Sequence, residues 1–198
     1  MFSINSKLPW TVTSRLIDML EMAQEMFGPR DEFWTITGVE VVGKRARIWF
    51  PNVSRREIAI HLSERDSRNL PAMCHSLSHE VVHLLSPDPG GVCNLEEGLA
   101  CYFSNYYMKE KFNRPIVRPS WSGYKESYEL VAPRLDEDAK CVRRLRNVPL
   151  AFSRIPKDAL AVEFPALAAK DVEFLLTRFK DPLKGCNWWP GTFPTLNG

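Results

Sequence analysis

Residues 70–85 read LPAMCHSLSHEVVHLL, and this stretch decides how the chain is organised. Met73, Leu77, Val81, Leu84 and Leu85 recur at helical spacing and gather on one side of a helical wheel. His79 and His83 gather on the opposite side, with Ala72 and Ser76. The apolar side supplies the packing, so the histidines are free to line a cleft. At the helical rotation of about 100° per residue, His79 and His83 point within roughly 40° of each other. Two imidazoles so placed reach one zinc ion at about 2.0–2.1 Å. Glu80 lies beside that stripe, where its carboxylate meets a metal-bound water without ligating the metal. That is the mechanical content of an HExxH string, with the glutamate as general base. Composition alone predicts about 0.006 such strings in this chain, so the string is informative.

A helix of this kind needs an end and a partner. Ser86-Pro87-Asp88-Pro89-Gly90-Gly91 breaks it, and Asn94 opens the next helix, to about Glu110. A catalytic zinc takes three protein ligands and keeps a fourth position open. Residues 94–103 read NLEEGLACYF. Here the chain resembles the gluzincins, HExxH metallopeptidases whose third ligand is a glutamate on a second helix, often in a segment like NEGxAxY. The resemblance implies Glu97 as third ligand to Zn2+, a zincin-like fold and a peptide or protein substrate. It covers residues 70–108, about a fifth of the chain, and is silent about the rest. Glu96 is the adjacent competitor, and Asn94 with Glu97 also reads as a capping box. The chain departs from the family at Cys101, where some gluzincins carry an acidic residue that orients a zinc-bound histidine.

Gluzincins commonly stabilise the oxyanion with a tyrosine or histidine from a later helix. The resemblance makes Tyr128 the first choice, with Tyr124 on the same stripe; the alternative is that both are amphipathic core tyrosines. Residues 57–62, EIAIHL, precede the metal helix. By resemblance this is an edge strand that binds substrate backbone by β-augmentation; the other reading is an ordinary sheet strand carrying His61. His75 reads as a helix-surface residue, and Arg143, Arg144 and Arg146 as a solvated helix end.

The remaining pattern is α+β: a small N-terminal mixed or antiparallel sheet packed on a helical bundle that carries the HExxH helix. A helix is expected from Trp10 to Phe27, ended by Gly28-Pro29, then strand-like runs from Val39 to Phe50, with a turn at Val42-Gly43-Lys44, and from Glu57 to Leu62. A long helix is expected from Gly123 to Arg146, kinked or split by Pro133, and a last one from Pro165 to Phe179. Residues 1–186 read as one domain and 187–198 as an extended tail. The net charge of +2 gives no reason to expect nucleic acid or a membrane as partner. Five scattered cysteines, without CxxC spacing, read as reduced thiols. With no signal peptide in the N-terminal residues and no apolar run near ~18 residues, the expectation is a cytoplasmic protein; oligomeric state is not legible. The function expected is a zinc-dependent hydrolase, a small metallopeptidase with Glu80 as base and a zinc-bound water as nucleophile. Two alternatives stand beside it: a protease of the ImmA/IrrE type dedicated to one partner protein, and a non-catalytic zinc-binding interaction protein.

Overall fold

In the computed structural model, which describes residues 11–148 and 151–180, α1 (Val12–Phe27) comes first. A reciprocal capping box between Thr11 and Ser14 starts it, and Gly28, at φ 96°, ends it. A Cβ at Gly28 would stand 2.3 Å from the Arg146 carbonyl oxygen, so only glycine lets this corner close.

Three strands follow: β1 (Thr35–Val41), β2 (Arg47–Asn52) and β3 (Glu57–Leu62). The sheet order is β1-β3-β2, with β3 parallel to β1 and antiparallel to β2. The sheet is therefore mixed. The expected run from Val39 to Phe50 is two strands that do not pair with each other. β3 is the middle strand, buried from Ile58 to Leu62. It has no edge to offer, so a substrate-binding edge strand over 57–62 is ruled out; Glu57–Leu62 is a continuous buried run because both flanks are occupied.

The helices α2 (Leu70–His83) and α3 (Asn94–Phe112) pack against each other and carry the candidate site. Asn69 caps α2, its side chain accepting the Ala72 N–H at 3.0 Å. α4 (Ser122–Glu137) runs straight through Pro133, and the break comes later. There the Asp138 carboxylate accepts the Lys140 N–H at 3.0 Å, a turn that restarts the chain as α5 (Cys141–Leu145). The helix expected from Pro165 to Phe179 is the shorter α7 (Ala169–Leu176), and α6 (Lys157–Glu163) before it was not anticipated. Phe164 precedes Pro165 and so leaves the α region, with φ −119° and ψ 64°. The tail expected over 187–198 lies outside the described residues. No described helix is long and apolar enough to cross a membrane.

One hydrophobic core joins α1, the sheet and the helices, from Met19 and Phe27 through Ile58, Ile60 and Leu77 to Phe103, Val131 and Leu175. α3 and α4 approach each other closely at Gly98. A Cβ at Gly98 would lie 2.6 Å from the Ser127 carbonyl oxygen, so this glycine sets how deeply α4 seats beside the site. Arg146 is fully buried rather than solvated. Its guanidinium donates to the carbonyls of Phe27 (2.8 Å), Pro29 (3.2 Å) and Leu85 (3.4 Å), and lies over the Phe152 ring. It ties the ends of α1 and α2 together.

Candidate metal centre

α2 places His79 and His83 one turn apart, with ring centroids 5.2 Å from each other. α3 brings Glu97 across to them. Its Oε2 is 3.2 Å from His79 Nε2 and 3.9 Å from His83 Nε2. One ligand atom from each residue lies within 4.8 Å of the others, and among the described residues this is the one His/Cys/Asp/Glu group with that closeness. The three residues singled out as ligands in the sequence therefore meet.

Glu96 does not compete for the same place. Its Oε1 is 2.8 Å from His83 Nδ1, on the opposite side of the ring from Glu97. A carboxylate there accepts the Nδ1 proton, fixes the tautomer and leaves Nε2 as the lone-pair nitrogen. The capping-box reading of Asn94 and Glu97 does not hold: Cys93 is the N-cap, and the Asn94 amide instead donates to Phe174 O and Thr177 Oγ1 on the C-terminal segment. His79 has a different support. Its Nδ1 faces Cys101 Sγ at 4.0 Å, so sulfur occupies the place where the family pattern has a carboxylate.

Charge explains what this cluster lacks. Glu80, Glu96 and Glu97 are all buried, as is His83. Burial raises the carboxyls of Glu80 and Glu96 above their ordinary range. The two histidines move up as well: burial disfavours their charged forms, but Cys101 and Glu97 around His79, and Glu97 and Glu96 around His83, outweigh it. Three buried carboxyls, Glu80, Glu96 and Glu97, thus stand against two imidazoles in this cluster. A divalent cation between two imidazole nitrogens and one carboxylate would offset the carboxylate charge, and the N,N,O donor set suits zinc. No fourth described residue completes the group, and Cys101 approaches the ring nitrogen of His79 that does not face Glu97. The arrangement thus differs from a closed four-ligand structural site.

Glu80 lies alongside, hydrogen-bonded by the Ile48 backbone of β2. It lines a cavity of about 830 Å³ together with His79, His83 and Glu97. β2, as an outer strand, supplies one wall through Arg47, Ile48 and Phe50; the segment after α3 supplies another through Val117 to Ser120. Asn105 fastens that segment, accepting the Val117 N–H at 2.8 Å and donating to its carbonyl at 3.0 Å.

Tyr128 is not brought to this cavity. It is 7% exposed and packs in the core. Tyr124, one turn earlier, lines the cavity with its ring 6.1 Å from that of His79. Both tyrosines share a stripe, but only the earlier one lines the cavity. His75 also lines the cavity, whereas His61 sits on β3 against Trp49, with Nε2 3.2 Å from Glu40. The signal for β2 as the cavity wall was available only in the strand order.

The chain matches no known family model, no curated protein and no solved structure.

Proposed function

We propose that this protein is a zinc-dependent hydrolase of the metallopeptidase type, with a zincin-like arrangement of its site. The observation that carries the reading is the meeting of His79, His83 and Glu97 on the floor of a large cavity, with the buried Glu80 beside them. His79, His83 and Glu97 would hold the metal, with Glu96 orienting His83. A zinc ion supplies a Lewis acid that acidifies water and stabilises charge developing on a carbonyl oxygen. Glu80 takes a proton from the water as that water attacks the peptide carbonyl carbon. It then passes the proton to the departing amine as the carbon–nitrogen bond breaks. Burial suits Glu80 to this work, because a raised carboxyl is a stronger base than a solvated one. Tyr124, which lines the cavity, would donate a hydrogen bond to the oxyanion in place of Tyr128.

The test is Glu80→Gln. Hydrolysis of a peptide substrate should fall by about 10²–10⁴-fold, while zinc stoichiometry stays that of the parent. Unchanged hydrolysis would refute the assignment, and so would a parent protein that retains no zinc after purification.

A further inference from the structure

The charge around the mouth of the cavity is unlike that of its floor and unlike that of the chain. The floor carries the buried carboxylates of Glu80 and Glu97. The lining also includes five cations, Arg45, Arg47, Arg118, Arg178 and Lys180, against two further carboxylates, Asp66 and Asp88. The whole chain has a net charge of only +2, so this is a local concentration. The two carboxylates are engaged: Asp66 accepts from the Ser76 hydroxyl at 2.9 Å, and Asp88 from the Gly90 N–H at 2.7 Å. Among the described residues none of Arg47, Arg118, Arg178 and Lys180 is held in an ion pair, and all four are exposed.

The cations stand on separate walls. Arg118 belongs to the segment that Asn105 fastens; Arg178 and Lys180 follow α7, where the Arg178 guanidinium packs over Gly91; Arg47, on β2, turns its guanidinium over the Trp49 ring and is set aside. A cation built into one wall alone would be an ordinary solvated side chain. Cations on two walls of one cleft create a positive field at its entrance.

We infer that the substrate is an acidic peptide, its carboxylate side chains held by the cations at the cavity mouth. The inference rests on the hydrolase reading above. Ile48, Phe50, Val117 and Tyr124 give the cleft apolar walls that suit a peptide backbone and its side chains. These apolar walls, together with the peptidase reading on which the inference rests, favour an acidic polypeptide over a nucleic acid.

The experiment uses the full chain carrying Glu80→Gln, loaded with zinc, so that binding is read without cleavage. Fluorescent peptide pools rich in Asp and Glu are compared with matched pools of Asn and Gln. The acidic pool should bind about tenfold more tightly, with the advantage shrinking as salt rises from ~50 to ~300 mM. Arg118→Glu with Arg178→Glu should abolish the preference. Should that pair fail to fold, Arg118→Gln with Arg178→Gln should reduce it several-fold. Equal binding of the two pools overturns the inference, as does a preference untouched in the folded variants. A single-stranded oligonucleotide that displaces the acidic pool at lower concentration overturns it in favour of nucleic acid. Charge-selective binding without zinc-dependent cleavage by the parent protein would sink the hydrolase reading and keep this one; cleavage indifferent to charge would do the reverse.

Discussion

Two buried charged groups lie on either side of Glu96, and they are built on opposite plans. Arg146 is a lone cation surrounded by acceptors: three carbonyls, an aromatic face and the distant Glu96. Burial draws it down only to about 10, so it stays charged. The His79–His83–Glu97 group, with Glu80 and Glu96 beside it, is the reverse: three carboxyls to two imidazoles, with a cavity in front of them. The contrast separates two uses of buried charge. Where the chain supplies the partners, the charge fastens elements together; where it supplies like charges and leaves access, the charge is arranged for something that arrives from outside.

The hardest blow to that contrast is Arg146→Met. It leaves the carbonyls of Phe27, Pro29 and Leu85 without this donor, and the loss should be about 3–5 kcal/mol in urea unfolding. Zinc stoichiometry of the folded fraction should not change. If stability holds, Arg146 is not the fastener described. Next in size, Glu96→Gln should weaken zinc binding by about 10–100-fold while leaving the melting point of the zinc-free protein near that of the parent; equal losses in both would make Glu96 structural. Chelation of the zinc-loaded protein should lower Tm, since a ligand at 100 times its Kd adds about 2.7 kcal/mol. Arg146→Met should show the same drop, because the two groups act separately.

The smallest effect belongs to the surface. Arg144 grips Glu163 at 2.7 Å and Asp138 at 2.7 Å, and its hydrogen bond holds the Glu163 carboxyl below its ordinary range. A depressed carboxyl stabilises the fold above its unfolded pKa and loses that contribution as pH falls through the folded one. Glu163→Gln should therefore lower Tm by about a degree at neutral pH and leave it unchanged once both carboxyl forms are protonated.

Much of the candidate metal centre was legible because it depends on local spacing: His79, Glu80 and His83 share one helix, and Glu97 heads the next. What the chain could not disclose depends on tertiary packing. Tyr124 and Tyr128 are one turn apart on one stripe, and only the packing of α4 decides which faces the cavity. Glu96 and Glu97 were separable chiefly by resemblance, helped by a helical wheel that puts Glu96 nearer the apolar face, until the His83 ring showed an occupant on each side. Arg146 looked like a helix-end cation because nothing local marks the carbonyls that receive it. The strand over 57–62 was legible as a strand, but not its place in the middle, which comes from β1 returning to a parallel neighbour.

That strand order also sets an order of assembly. β2 and β3 are joined by the short turn at 53–56, with Arg56 at φ 54°, and can zip together locally. β1 gains its partner only after the chain has gone out through β2 and come back, a closure with a larger entropic cost. The hairpin that borders the cleft is thus expected to gain amide protection early, and β1 to be the last strand to dock and the first to let go.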